Sequence, residues 1–286
     1  MDNKKLKVSS NPHVRDGMST RGIMLAVIIA LMPATIFGVI NFGYHALLVI
    51  LVSVGFSVLS EFVMCKILKK PVSVGDCSAI VTGLLLALNL PSTFPLWMTA
   101  LGACFAIVVV KMLFGGLGQN FMNPALGARC FLVISFAKYM TNFTTDVYTG
   151  PTPLAIVKAG GEVNIFDMVI GRTAGTIGET SMIAIVLGAC FLIALGIIDL
   201  KIPGSYIVSF VIFILLFSKR GFDLNYICAQ LAGGGLMLGA FFMATDYVTR
   251  PITKKGQYVF GILLGILTGV FRIFGPGAEG VSFAII

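Results

Sequence analysis

Residues 23–40 read IMLAVIIALMPATIFGVI, a run without one charge and with no alternation of apolar and polar positions. Such a run approaches the ~20 residues with which an α-helix crosses about 30 Å of hydrocarbon. Residues 181–198, SMIAIVLGACFLIALGII, repeat the pattern. A membrane β-barrel would alternate along segments of about ten residues, so these runs exclude one, and satisfying every backbone group in lipid then requires helices. Of the 286 residues, 57% are hydrophobic and 11% charged, against about 25% charged in an ordinary soluble domain. So few charges cannot coat a water-facing surface. The sequence describes an all-α polytopic membrane protein.

Nine apolar spans are expected, at 22–41, 46–67, 78–91, 95–115, 122–140, 181–200, 204–217, 226–244 and 258–274. The final GVSFAII reads as the start of a tenth whose C-terminus is truncated, because so few apolar residues cannot cross a bilayer. With the N-terminus in the cytoplasm, Lys4, Lys5, Lys7, Arg15, Arg21, Lys66, Lys69, Lys70, Lys201, Arg250, Lys254 and Lys255 fall inside. Lys138, Lys158, Arg172, Lys219, Arg220 and Arg272 fall outside, and this twelve-to-six bias favours the N-in orientation. Lys111 and Arg129 lie within spans. The segments are then a cytoplasmic tail (1–21), a first five-helix half (22–140), an outer-face loop (141–180) and a second half (181–286).

The net charge of +8 sits in short flanks of the spans, where it sets orientation, so no nucleic-acid partner is implied. Six cysteines stand singly beside apolar runs with no C-x-x-C and two histidines in the chain, which points to buried small side chains rather than a metal site. His13 and His45 receive no role.

The third and eighth spans resemble each other, TGLLLALNLPSTFPLW from Thr82 being superposable on GGLMLGAFFMATDYVTRP from Gly234. Both are short helices running into a Pro-containing stretch, and the odd number of spans between them reverses direction, as in two inverted repeats of five helices. Broken helices at membrane depth need a protein or polar lining, which makes them a place to expect a ligand.

In the outer loop, TDVYTGPTPLAIVKAGG (145–161), Gly150, Pro151 and Pro153 make a constrained turn that carries the hydroxyls of Thr149 and Thr152. A Ser/Thr-Gly-x-Thr stretch of this kind is similar to the flavinylation motif in the family of the D subunit of the Rnf ion-translocating oxidoreductase. The B subunit of the sodium-translocating NADH:quinone oxidoreductase is a relative in that family. The segments SSNPHVRDGMSTRGIMLAVIIALMPA, VTGLLLALNLPSTFPLW, GGLGQNFMNPALGARCFL and FMATDYVTRP resemble it in the same order, and Pro151 stands where the motif has alanine.

The resemblance implies FMN esterified through its phosphate to Thr152, with Gly150 shaping the turn, and a second, non-covalent flavin (riboflavin or FMN) among the helices. It also implies the A, B, C, E and G subunits of the Rnf complex and a flavin transferase as partners, and a bacterial cytoplasmic (inner) membrane location. The implied activity is electron relay between reduced ferredoxin and NAD+ coupled to Na+ or H+ export. NAD+ is left to a partner, since no G-x-G-x-x-G follows a strand here.

In GGLGQNFMNPALGAR (115–129), Asn123 and Pro124 suit the N-cap and first position of a helix, whose free N–H groups meet an anion or a flavin edge unless the cap is purely structural. Arg129 lies two turns further in, where a charge requires a partner; it neutralises a reduced flavin or pairs with a carboxylate. Three acids are candidates for a cation route: Glu61, otherwise facing cytoplasmic headgroups; Asp76, otherwise an N-cap; and Asp246, which resembles an acid implicated in sodium uptake in the quinone-reductase relative. Asp199 and Lys201 form an interface pair. NIFDMVIG (164–171) reads as a short helix on the outer interface or, the preferred reading, as a segment packed on the protein, and Asn142-Phe143-Thr144 as a chance sequon. The alternatives to a redox role are a secondary transporter or channel built on inverted repeats, a docking scaffold, and a homologue of the quinone-reductase B subunit.

Overall fold

The computed structural model describes residues 19–143, 150–179, 181–218, 222–275 and 280–286. The tail through residue 18, with His13, and Thr144, Thr149, Lys219 and Arg220 lie outside the described residues. Among those described, the chain is helical, with one isolated bridge between Pro91 and Thr176. The first half runs α1 (Thr20–Phe42), α2 (Tyr44–Ile67), α3 (Ser78–Leu88), α4 (Leu96–Phe105, continued as a π segment Ala106–Met112), α5 (Pro124–Ser135) and α6 (Ala137–Met140). Two short helices, α7 (Pro153–Lys158) and α8 (Ile165–Ile170), occupy the expected outer loop; α8 is the short helix anticipated there. The rest is α9 (Met182–Ala194), α10 (Lys201–Phe217), α11 (Leu224–Ala232), α12 (Leu236–Leu238, continued as a π segment Gly239–Met243), α13 (Lys254–Phe274) and α14 (Val281–Ile285).

Among the described residues α1, α2 and α13 are long and apolar enough to cross a membrane alone, and α11 with α12 and its π segment, bent by 59°, is a broken span or a re-entrant loop. Of the other expected spans, the seventh outruns its bounds as α10, and three end or break early for identifiable reasons. The third ends at Leu88 because Pro91 disfavours helical dihedrals at Leu90. The fifth splits at Phe136 (φ −132°, ψ 44°). The eighth breaks at Gly233-Gly234-Gly235, where Gly234 and Gly235 take φ of +62° and +65° that side chains with a Cβ resist. The terminal residues form α14, packed on α5 and α13.

Lipid-side and protein-side faces are sorted by size. On α1, Leu25, Ile29, Met32, Ile36 and Ile40 are exposed, whereas Ala26, Ala30, Ala34 and Gly38 are buried or nearly so. Small residues on the inner face let helix backbones approach closely, the main source of association in lipid. α1 packs on α9, α2 on α3 and α4, α5 on α14, and α10 on α13. The α10–α13 contact runs along Gly261, Gly265 and Gly269, opposite Ser205, Ser209 and Phe213.

Both helix breaks have their carbonyls satisfied by protein, as the absence of water at that depth demands. After α3, the N–H groups of Ile177 and Gly178 donate to Leu90 O (3.0 Å) and Leu88 O (2.9 Å). After α11, the Arg272 guanidinium donates to Gln230 O, Gly233 O (2.9 Å) and Gly234 O (3.1 Å). Arg272, counted on the outer side at the end of the ninth span, is therefore buried in the last turn of α13.

Candidate functional site

Thr152 is the N-cap of α7: its Oγ1 accepts from Ala155 N at 3.4 Å, and Pro153 follows at the first helical position, where its missing N–H costs nothing. The half-buried hydroxyl stands at the rim of a cavity of about 500 Å³. Gly150, Pro151 and Ala155 border it on one side, Arg129, Cys130 and Val133 of α5 on another, and Ser282 and Phe283 of α14 on a third. Gly150 has φ +148°, a backbone state that favours glycine.

Arg129 is buried, donates to Ser282 Oγ, and lies 3.8 Å from Glu179 Oε1. Thr152, Gly150 and Arg129 thus border one cavity. Glu179, the carboxylate facing Arg129, belongs to no motif in the sequence; its one signal there is a charge within GETS at the foot of an apolar span.

Asn123 lies elsewhere. As anticipated it caps α5, accepting from Ala125 N (3.1 Å) and Leu126 N (3.4 Å), and it also donates to Met243 O at 3.5 Å, tying α5 to the π segment after α12. It lines a second, inner cavity of about 100 Å³ together with Asn120, Lys111, Ser78, Thr245 and Asp246. Asn123→Ala is expected to cost about 1–2 kcal/mol, the usual loss for a cap, measured by thermal denaturation of the purified chain in detergent. Asp246 accepts from Val248 N and Thr249 Oγ1, each at 3.5 Å. Burial pushes its carboxyl above the ordinary carboxylate range, and those hydrogen bonds and Arg250 oppose the rise.

Glu61 corrects an expectation. Rather than facing headgroups, it is 0% exposed, and its Oε2 is 2.8 Å from the equally buried Lys111 Nζ. Ser73 Oγ donates to Glu61 Oε1 at 2.5 Å. Lys111 Nζ also donates to Ser78 Oγ at 2.6 Å, and Ser78 Oγ donates to Asp76 Oδ1 at 2.5 Å. Asp76 is not itself the N-cap of α3, since Cys77 stands there with φ +65°, but its carboxylate takes the Ser78 N–H at 2.8 Å from one residue earlier. Glu61, Lys111, Ser78 and Asp76 thus form one polar chain, and Lys111 and Ser78 bring it to the cavity of Asp246. Desolvating two charges is costly, so a pair this deep marks a functional position more often than a stabilising one.

The remaining expectations divide. Asp199 and Lys201 pair at 2.6 Å at the surface, and the lysine holds the aspartate below its usual range. The six cysteines are free; Cys65 is buried as expected, Cys190 is exposed and the others are intermediate, Cys130 because it borders the outer cavity. Among the described residues no cluster of His, Cys, Asp and Glu could hold a metal ion.

The profile of the NQR2, RnfD, RnfE family matches residues 7–286. The D subunit of the Na(+)-translocating ferredoxin:NAD(+) oxidoreductase complex of Acetobacterium woodii is 44% identical over 100% of this chain and 91% of its own length. The D subunit of the proton-translocating ferredoxin:NAD(+) oxidoreductase complex of Clostridium ljungdahlii is 40% identical over 98% of this chain and 90% of its own. The B subunit of the Na(+)-translocating NADH-quinone reductase of Stutzerimonas stutzeri is 32% identical over 96% and 82%. With its bent α11–α12 pair, its buried charges and a match that runs nearly from end to end, this multi-pass membrane chain belongs to the NQR2, RnfD, RnfE family.

Proposed function

We propose that this chain is the membrane redox subunit of an ion-translocating ferredoxin:NAD+ oxidoreductase complex, and that Thr152 carries FMN as a phosphoester. The observation that carries the reading is the outer cavity with Thr152 at its rim and buried Arg129 in its wall. Its volume of about 500 Å³ lies within the ~300–1,000 Å³ typical of cofactor sites. Val133 and Phe283 offer apolar surface to a ring system, and Arg129 a positive charge to its anionic reduced form. When bound, a flavin accepts electrons in pairs and releases them singly. The protein's part is to hold the ring, exclude water and set the local field: Thr152 tethers, Gly150 lets the turn pass close, and Ser282 and Glu179 fix the guanidinium.

The inner cavity, at about 100 Å³, is smaller than cofactor sites and does not fit a second flavin, riboflavin or FMN. Its oxygen donors suit a hard cation or water instead, and we assign Asp246, Asp76 and Glu61 to a cation route there. The named relatives divide between sodium and protons. The proposal places the chain in a bacterial cytoplasmic membrane with its N-terminus inside, beside the other Rnf subunits and matured by a flavin transferase. It also treats 22–140 and 181–286 as inverted repeats. In support, α1 packs on α9 and α5 on α14, while Asn89 after α3 contacts Met243 at the end of α12's π segment, its Nδ2 3.9 Å from the sulfur.

The test is in-gel flavin fluorescence of the denatured chain purified from its native host. A fluorescent band that goes dark in Thr152→Ala is expected. A wild-type chain carrying no covalent mononucleotide by intact mass overturns the reading and favours a transporter or scaffold.

A further inference from the structure

α2 carries Ser53, Ser57 and Glu61 at four-residue spacing on the face toward α3, all 0% exposed. Ser53 Oγ donates to Gly83 O at 2.7 Å. Ser57 Oγ, one turn from Glu61, is buried with no hydrogen-bond partner among the described residues. A buried hydroxyl left unsatisfied is unfavourable, and a visiting water or ion would relieve it.

Around Glu61 the oxygens converge on a single positive charge. Lys111 Nζ lies 2.8 Å from Glu61 Oε2 and 2.6 Å from Ser78 Oγ, while Ser73 fixes the other carboxylate oxygen. The Ser78 hydroxyl gives its own proton to Asp76, so its oxygen lone pairs face the ammonium. Carboxylate and hydroxyl oxygens turned inward are the donor set of a hard cation. Lys111 rides on the π segment Ala106–Met112, and its side chain also lines the cavity onto which Asp246 opens. π segments recur at functional positions.

We propose that the oxygens of Glu61 and Ser78 form a binding site for a monovalent metal cation in which the Lys111 ammonium is the resident cation. The ion enters only as Lys111 swings toward the Asp246 cavity. This rests on the reading that the cation route passes through this chain. Asp76, on the far side of Ser78, is part-exposed, so Glu61 is the one fully buried carboxylate here; in a low-dielectric interior it neutralises one positive charge, and a second cation beside it is strongly repelled. Occupancy is therefore an exchange of cations rather than an addition. The tether keeps the carboxylate neutralised between ions.

The experiment measures radioactive sodium binding to the whole purified complex at equilibrium. Lys111→Gln keeps donors toward Glu61 and Ser78 but removes the competing charge, so sodium should bind at least tenfold more tightly. Lys111→Met, which lacks those donors, should tighten binding too, and adding Glu61→Gln to either should abolish it. Sodium affinity within twofold of wild type in a folded Lys111→Gln complex, or no sodium binding in either form, overturns the proposal. Sodium uptake into proteoliposomes separates the two readings. If Glu61→Gln and Asp246→Asn both transport normally, the route lies outside this chain; if both stop transport while Lys111→Gln binds as wild type does, only the exchange fails.

Discussion

Arg272→Ala is expected to destabilise the bent α11–α12 pair by about 3 kcal/mol or more, since each charge-assisted hydrogen bond it makes contributes about 1.5–3 kcal/mol. The side chain is 3% exposed and supplies donors to Gln230 O, Gln230 Oε1, Gly233 O and Gly234 O. Those carbonyls end a helix inside the bundle and have no water to turn to. Its guanidinium also lies 5.1 Å from the centre of the Phe210 ring, so truncation removes packing as well. Thermal denaturation in detergent, followed through thiol labelling of half-buried Cys228 on α11, reads the loss where it occurs. Arg272→Lys should recover only part, because an ammonium is a point charge that cannot span the same fork of acceptors. A change below about 1 kcal/mol in the alanine variant would show that other donors reach the break.

A comparable loss is expected for Gly265→Val. Any Cβ at this position would fall 2.6 Å from Tyr206 O and 2.8 Å from Phe210 N, which are backbone atoms of α10 and cannot rotate aside. The two helices must move apart, and the buried hydrogen bond between Tyr206 Oη and Thr268 Oγ1, 2.6 Å long, is stretched with them. Overpacking costs typically about 1–3 kcal/mol, and a clash with backbone belongs at or beyond the upper end. Gly204→Ala is the matched control, because nothing lies within 4 Å of the added methyl group. It should be neutral or slightly stabilising in the same thermal assay. Equal losses at both positions would mean that helix flexibility, and not close approach, is what Gly265 provides.

Long apolar runs identify α1, α2 and α13 directly, because those helices are as long as their apolar stretches. At α3, α5 and α9 hydropathy overstates helix length. Residues 89–95, which follow α3, are irregular but mostly enclosed by protein, so Leu90 and Phe94 stay buried without being helical. The Asn123-Pro124 cap was legible because capping is local, and the Thr152 turn because glycine and prolines mark it within four residues. Pairings were not. Glu61 and Lys111 are 50 positions apart, Arg129 and Glu179 also 50, and no periodicity in a single sequence says which buried charge meets which. The burial of Arg272 was not legible because a basic residue at a span end normally marks the headgroup boundary, whereas here a broken neighbour offers it carbonyls instead.

The widened turns in Ala106–Met112 have an implication for how length variation would act on this chain. The π turns already hold an extra residue within an otherwise α-helical path, so a residue removed from the regular turns of α4 upstream, with the π turns retained, is not absorbed. Every side chain beyond the deletion would then rotate by roughly 100° about the axis, the angle of one step at 3.6 residues per turn. The ammonium would leave Glu61 although neither residue had been altered. The alignment of these two opposite charges is thus stored in a residue count along one helix.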